Sequence, residues 1–302
     1  MNKQTEYRLL DAGNGRKLEQ FGQVVLDRPC AQAVWRPCLT PEAWAQADAS
    51  FTRDEGKRWQ FHRPLPESWQ VSIDGLLFEV QPTDFGHVGV FPEHVRAWRW
   101  LADLQRRLAP GREPLSVLNL FAYSGGATVA AARLGFRVCH LDASHKMVTW
   151  ARRNAGLNDL SAAPVRWIVD DVQKFLKREP RRGAAYDGII LDPPSFGRGS
   201  RQELFKIDTH LLDLMGQCRE VLSREPTFVF LSCHTPGYTP LVLQHLLNQG
   251  LSGLNGSIEA GEMVLEGGPG GVAGSEWHLC GLVASVGRRE FGASPRTEGC
   301  HP

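Results

Sequence analysis

The run Ile189-Ile-Leu-Asp-Pro-Pro-Ser-Phe196 carries the sharpest chemical signal in the chain. Two prolines directly after an apolar run fix an extended, stiff backbone. Proline has no N–H, so carbonyls beside Pro193 and Pro194 stay open as acceptors. Asp192 adds a carboxylate, and Phe196 offers a flat apolar face for a planar base. The competing reading is a rigid strand exit with a packed phenylalanine. Leu231-Ser-Cys-His-Thr-Pro-Gly237 ends another apolar run and brings in Cys233. As a thiolate, Cys233 could attack C6 of a pyrimidine and make C5 nucleophilic, with His234 moving a proton. A structural thiol beside a solvated histidine is the alternative. Upstream, Leu118-Asn-Leu-Phe-Ala-Tyr-Ser-Gly-Gly-Ala127 sets Gly125 and Gly126 at a helix start. Glycine permits a tight turn and close ligand approach, and the free N–H groups there suit an acceptor or anion. The pattern is not GxGxxG. Asp142 ends the next apolar run, about 20 residues on, where an acid can accept from ribose hydroxyls. Ser144 is placed to cap the following helix and leave Asp142 free. Asp171, with Asp170 as its alternate, ends VRWIVDD, where a carboxylate can accept from an adenine amine. Capping of the VQKFLKR helix explains that pair almost as well.

These residues need elements to place them. From Phe85 onward, apolar runs alternate with helical patterns. PLSVLNLFAY, FRVCHLD, VRWIVDD, YDGIILDPP and PTFVFLSC read as strands. GATVAAARLG, HKMVTWARRNAG, VQKFLKR, LFKIDTHLLDLMGQCREVLS and LVLQHLLNQG read as helices. Before the first strand, Val95, Trp98, Leu101 and Leu104 form one apolar helix face. Alternation with near-continuous apolar strands predicts a parallel sheet with helices on both faces, and ligands at the C-terminal strand ends. GEMVLE and EWHLCGLVASVG follow as two strands joined only by GGPGGVAGS, which fits an antiparallel pair at the sheet edge. Residues 1–82 differ, with short β-like runs QVVL, WQVSI and LLFEV, the last two joined across Asp74-Gly75 as a hairpin. The expectation is α/β: a small β-rich domain at 1–82 and a doubly wound domain at 83–302.

Composition bounds the class. The 302 residues suit about two domains. Lys plus Arg total 34 against 33 Asp plus Glu, a net charge of +1. That balance argues against coating nucleic acid by bulk charge, since such binding rests on neutralising many phosphates. Residues 1–82 hold 10 basic and 11 acidic side chains, so they form no basic platform. Residues 174–206 hold eight basic against four acidic side chains, a local net of +4 beside the Asp-Pro-Pro corner. Arg198 and Arg201 directly follow it and could meet phosphates. No run approaches the ~20 apolar residues of a membrane helix, and the first residues show no secretory h-region. Seven cysteines without a CxxC pair suggest a reduced, cytoplasmic chain without a metal site.

GHVGVFPE, LNLFAYSGG, LDAS, WARRNAGLN, VDDVQKFL and LDPPSFGRG, in this order, resemble the class I S-adenosylmethionine-dependent methyltransferases. More closely, they are similar to bacterial large-subunit ribosomal RNA methyltransferases acting on cytosine C5 or guanine N7, over about residues 70–302. The resemblance implies a Rossmann-like seven-stranded sheet with an antiparallel last strand. It implies that Phe121, Ala122, Tyr123, Ser124, Gly125 and Gly126 wrap the methionine part of S-adenosylmethionine. Asp142 and Ala143 would hold the ribose, and Asp170 or Asp171 the adenine. Asp192, Pro193, Pro194 and Phe196 would frame the sulfonium and target base, and Cys233 would be the nucleophile of a C5 enzyme. RNA is the implied partner, with no membrane and no metal. One departure stands out: Glu93 is followed by His94 and Val95 where the family usually has Gln and Arg after an acid. A small-molecule or protein acceptor, and a non-catalytic cofactor- or RNA-binding protein, stay open here. A nicotinamide-dependent oxidoreductase would leave the Asp-Pro-Pro corner unexplained.

Overall fold

The computed structural model describes residues 5–53, 56, 58–198, 204–265, 267 and 273–283, the last stretch as backbone only. Strands β1 (Tyr7–Gly13), β2 (Arg16–Phe21), β3 (Val24–Pro29), β4 (Ala49–Thr52) and β5 (Arg58–Phe61) form one sheet in that order. The short helix α1 (Pro41–Trp44) sits in the β3–β4 connection, capped by Thr40. Strands β6 (Trp69–Ile73) and β7 (Leu76–Val80) make a separate hairpin. Its turn residues, Asp74 and Gly75, both have positive φ. That is what a two-residue hairpin turn needs to match the strand twist.

Helix α2 (Val95–Arg107) leads into the second sheet. Its parallel strands are β8 (Ser116–Leu120), β9 (Arg137–Asp142), β10 (Val165–Val169), β11 (Gly188–Leu191) and β14 (Phe228–Cys233). Between them lie α3 (Gly126–Arg133), α4 (His145–Leu157), α5 (Val172–Arg178) and α6 (Ile207–Glu220); α7 (Pro240–Gly250) follows. Two more strands, β15 (Ser257–Leu265) and β16 (Ala273–Val283), pair antiparallel, and β16 also pairs antiparallel with β14. The sheet order is β10-β9-β8-β11-β14-β16-β15.

Period-two alternation sends β-strand residues to opposite faces. Val117, Ile190, Phe228 and Phe230 pack with Trp98, Leu101 and Val129 on one side. Leu118, Leu191, Val229 and Leu231 pack with Phe175, Leu214 and Leu243 on the other. Helices cover both faces, so the strands read as continuous apolar runs. The first of these cores does not stop at the sheet. It continues through Val71, Ile73, Phe78 and Val80 of the hairpin to Phe21 and Leu26 of the N-terminal sheet.

Side chains of α4 fasten the hairpin. Asn158 accepts from the Leu77 amide at 2.9 Å and donates to its carbonyl at 2.7 Å. Asn154 accepts from the Glu79 amide at 2.9 Å, and Trp150 donates to the Glu79 carbonyl at 2.9 Å. These residues recur every four positions, which puts them on one helix face.

One expected element differs. The sequence pattern predicts a helix from Leu204, but Leu204–Lys206 forms strand β13, paired with β12 (Phe196–Arg198), and α6 begins only at Ile207. Phe205 explains the change: in the strand it is buried, with its ring centroid 5.2 Å from that of Phe121.

Gly89 has φ +95°, and a Cβ there would lie 2.2 Å from Trp150 Cζ2. Left-handed strain and overpacking each cost on the order of 1–3 kcal/mol. Gly89→Ala is therefore expected to lower stability by roughly 2–5 kcal/mol. Urea denaturation checks this, and an unchanged midpoint would contradict the packing described.

Candidate functional site

The C-terminal ends of β8, β9, β10, β11 and β14 form one edge, as the parallel topology requires. The turn after β8 is conformationally costly. Phe121 and Tyr123 both have positive φ, 56° and 50°, as does Gly125 at 88°. Positive φ in bulky residues persists only where surroundings enforce it. Here the Ala122 amide donates to the Leu141 carbonyl at 3.0 Å, and the Tyr123 amide donates to Asp142 Oδ2 at 2.9 Å. The Ser124 hydroxyl donates to the Gly89 carbonyl, and the Ser124 carbonyl accepts from Asn154 Nδ2 at 2.9 Å. Gly125 packs on Ala151, where a Cβ would approach to 2.8 Å, and a Cβ on Gly126 would come within 3.1 Å of Trp98. Gly125 is required here by its positive φ and its contact with Ala151, whereas Gly126 is tightly packed against Trp98.

Asp142 sits at the centre of this edge. Oδ1 accepts from the Ser144 amide at 2.9 Å and Oδ2 from Tyr123. Burial pushes its carboxyl pKa up; the two N–H groups oppose this without fully offsetting it. Ser144 caps α4 by accepting from the Met147 amide at 3.3 Å, as expected. Asp142 is therefore not a helix cap but a clamp between two loops. Each oxygen keeps further acceptor capacity for a ligand. Asp171 caps α5 through Oδ1, which accepts from the Lys174 amide at 3.0 Å, and Oδ2 keeps acceptor capacity. Asp170 accepts from the Asp171 amide at 2.8 Å and is ion-paired with Arg178.

At the β11 exit, Asp192 Oδ1 accepts from the Ser232 hydroxyl at 2.7 Å, and Oδ2 lies 3.5 Å from His94 Nε2. Ser195 and Thr235 share a hydroxyl contact at 2.7 Å, which ties the Pro193-Pro194 corner to the end of β14. Phe196 is 51% exposed, free of the core. A pocket opens between these parts, walled by Phe91, Trp98, Asn119, Tyr123, Gly126 and Asp192. Asn119 is held from behind, donating to Thr128 Oγ1 at 2.9 Å, and Thr128 is 2.8 Å from His140 Nδ1. Burial drives His140 down to about 3, so it stays neutral and packs on Trp167. Aromatic walls with a carboxylate suit a cationic, partly apolar ligand. Phe205 and Ser232 carried no motif signal; only alternation along β14 marked Ser232 as inward-facing.

Two expectations are not supported. Cys233 does not face the cleft. It is fully buried among Leu231, Leu243 and Leu247, on the sheet face opposite Ser232. Burial pushes its thiol pKa up, against weaker lowering by the Thr235 amide. A protonated core thiol is a poor nucleophile. The basic segment is also less open than its sequence suggests. Arg178 pairs with Asp170 and Arg182 with buried Glu179, while the Arg198 side chain and Arg201 lie outside the described residues.

Together these features define an α/β protein that takes a nucleoside-bearing ligand across the strand ends of a doubly wound sheet. The chain belongs to the S-adenosylmethionine-dependent methyltransferase family, whose family model matches residues 40–233. The match begins inside the N-terminal sheet, upstream of the first motif noted above. The protein is similar to a SAM-dependent methyltransferase from Agrobacterium tumefaciens of known crystal structure: 39% identity, 93% of this chain and 91% of that one covered, TM-score 0.85. A Streptococcus mutans structure shares the fold at 19% identity, covering 93% and 76%, with TM-score 0.72. Ribosomal RNA large subunit methyltransferase K/L of Shewanella sp. (strain ANA-3) is 32% identical over 159 residues, or 52% of this chain and 21% of that protein. The chain thus spans about a fifth of the length of that curated relative.

Two outcomes are expected. Asp142→Ala should weaken S-adenosylhomocysteine binding at least about tenfold by calorimetry, through loss of a charged acceptor and slackening of the Tyr123 turn. Unchanged affinity would remove Asp142 from the cofactor site. Cys233 should resist iodoacetamide at pH 7.5 in the folded protein while exposed Cys38 reacts, as read by peptide mass spectrometry. Equal labelling of both would place Cys233 back in the cleft.

Proposed function

We propose that the protein transfers a methyl group from S-adenosylmethionine to a nucleobase of ribosomal RNA. The observation that carries this reading is the Asp192–Phe196 corner: it starts at Asp192, which lines the strand-end pocket, and ends in an exposed aromatic ring. The name of the Shewanella relative supports the substrate class. The Rossmann-like sheet with antiparallel β16 inserted beside β14 agrees with the seven-stranded arrangement expected for such enzymes.

When bound, the cofactor supplies a methyl group already activated by its sulfonium. The residues that fit it are Phe121–Gly126 and Asp192 around the methionine part, Asp142 with Ala143 at the ribose, and Asp170 or Asp171 toward the base. What remains for the protein is mainly positioning. Pro193 and Pro194 fix the rim, Ser232 holds the Asp192 carboxylate with His94 beside it, and Phe196 offers a stacking face for a base drawn out of its helix. With Cys233 in the core, the reading favoured is direct attack by a lone pair of the acceptor, without a covalent enzyme intermediate. We also propose a division into residues 1–82, which help present the substrate, and residues 83–302, which bind the cofactor. Hairpin β6–β7 is then the join between them. Among the described residues no helix is long and apolar enough to cross a membrane. A cytoplasmic location belongs to the same proposal.

The test uses purified protein, radiolabelled S-adenosylmethionine and ribosomal RNA from a strain lacking the protein. Label is expected in one nucleoside, identified by mass spectrometry. Phe196→Ala should lower incorporation about ten- to a hundredfold, as loss of ~1–3 kcal/mol of stacking implies, while S-adenosylhomocysteine affinity holds. Labelling of protein or small molecules but not RNA would refute the proposal.

A further inference from the structure

A row of three side chains crosses the second sheet beside the cofactor pocket. Asn119 of β8 is in register with His140 of β9, and His140 with Trp167 of β10. Residues in register project from the same face of the sheet. Thr128 of α3 bonds to two members of this row. Asn119, Thr128 and His140 are all buried. An asparagine inside the apolar run Ser116–Leu120 is expensive, because its amide needs partners for both its donor and its acceptor.

The donor half is accounted for. Asn119 Nδ2 donates to Thr128 Oγ1 at 2.9 Å. The Thr128 hydroxyl has one hydrogen of its own, and His140 Nδ1, 2.8 Å away, can take it. Nδ1 is available because burial, and then Arg152, drive His140 down to about 3 and keep the ring neutral. His140 Nε2 is buried without a hydrogen-bond partner, so the contact with Thr128 sets the tautomer. The acceptor half is not accounted for. Among the described residues the Asn119 side chain makes no hydrogen bond besides that to Thr128, yet Asn119 lines the pocket together with Phe121, Tyr123 and Asp192. With Nδ2 given to Thr128, only Oδ1 is left to wall that pocket. Oδ1 is unpaired but is not one of the fully enclosed unpaired polar atoms, so a ligand can reach it.

We propose that Thr128 and His140 are positioning residues that lock the Asn119 amide with Oδ1 turned into the pocket, where it accepts an N–H of the cofactor's ammonium group. The inference rests on the reading that the Phe121–Gly126 turn, which directly follows β8, wraps the methionine part. On that part the ammonium alone carries N–H; the carboxylate only accepts, and the sulfonium does neither. The two ends of an amide have nearly the same shape, so packing alone does not choose between them. In the reversed chain, His140 Nδ1 would donate to Thr128 and Thr128 to Asn119 Oδ1. Nδ2 would then meet the ammonium and repel it. The His140 tautomer thus decides whether Asn119 attracts or repels the cationic end of the cofactor, although His140 itself does not line the pocket.

The test is calorimetry with S-adenosylhomocysteine, its desamino analogue, and methylthioadenosine, which lacks the amino-acid end altogether. The unaltered protein should bind S-adenosylhomocysteine at least about tenfold more tightly than the desamino analogue, as one hydrogen bond to a charged group implies. Thr128→Val keeps the shape and loses the hydroxyl. It should cut that preference to about threefold or less, with affinity for the desamino analogue held within about threefold. Thr128→Ser keeps the hydroxyl and should retain the preference. Equal affinity for the two ligands in the unaltered protein would overturn the proposal. So would an unchanged preference in Thr128→Val, or equal weakening of both ligands by it, which is the mark of a merely structural role. Nitrogen NMR of the unaltered, histidine-labelled protein with S-adenosylhomocysteine gives a check that needs no variant to fold. His140 should carry its proton on Nε2, and a proton on Nδ1 would overturn the proposal. The ligands also separate the two readings. S-adenosylhomocysteine binding no more tightly than methylthioadenosine refutes the assignment of the turn to the methionine part. Tighter binding than methylthioadenosine, but equal to the desamino analogue, refutes the Asn119 role alone.

Discussion

Asn154 holds the site together. It is fully buried, and its side-chain amide spans two otherwise separate parts of the chain. Its nitrogen donates to the Ser124 carbonyl in the cofactor turn, and its oxygen accepts from the Glu79 amide in the β6–β7 hairpin. Neither backbone group has a ladder partner there, and unpaired buried backbone groups are costly. The amide therefore fixes the distance between the hairpin and the cofactor loop. Trp150 and Asn158, one turn to either side on α4, extend the contact, and Gly89 presses on the Trp150 ring. The loop before α2 is thereby held over the turn after β8. The strained φ values of Phe121 and Tyr123 persist because this seam and the Asp142 clamp leave the turn no other shape.

A second constraint is electrostatic. Lys17, Glu19, Arg28 and Glu93 form a buried set with no net charge. Burying four charges is not an efficient way to add stability, since desolvation offsets most of the attraction. What the set does is select geometry. Lys17 can satisfy Glu93 only if the N-terminal sheet sits in one position against the loop that walls the cofactor pocket. The same loop carries His94, beside Asp192. A shift of the N-terminal sheet is thus communicated directly to the His94–Asp192 contact.

The strand–helix alternation, the hairpin across Asp74-Gly75 and the glycine turn were legible because each has a local physical cause: period-two burial, the need for positive φ, and the lack of room for a Cβ. The β12–β13 hairpin was not. Leu204-Phe-Lys206 is apolar and polar in a pattern that fits a helix start equally well, and only packing of Phe205 on Phe121 decides it. Cys233 shows the limit of reading strand ends. Which face a terminal residue takes depends on parity along β14, and Ser232, one position earlier, takes the cleft face instead. The paired arginines after α5 make a related point: charge counted along a segment says nothing about how much of it Asp170 and Glu179 already neutralise.

The Asp-Pro-Pro corner and the Lys17–Glu93 pair fix the geometry of the strand-end pocket from two sides. A methyl group activated by a sulfonium needs an acceptor held in line, and little else from the protein. The corner is stiff because Pro193 and Pro194 remove backbone freedom and Ser195 is tied to Thr235. It can set a distance but cannot tell one planar ring from another, because every base has a similar face. On the other side of the site, burial would raise the Glu93 carboxyl pKa, but Lys17, with help from the Glu93 amide and Arg28, holds it below the ordinary value, and the Lys17 bond anchors the loop before α2 to the N-terminal sheet. The N-terminal sheet is then more than an appendage: without its lysine the buried Glu93 carboxylate would lose its partner, and burial would favour its neutral form.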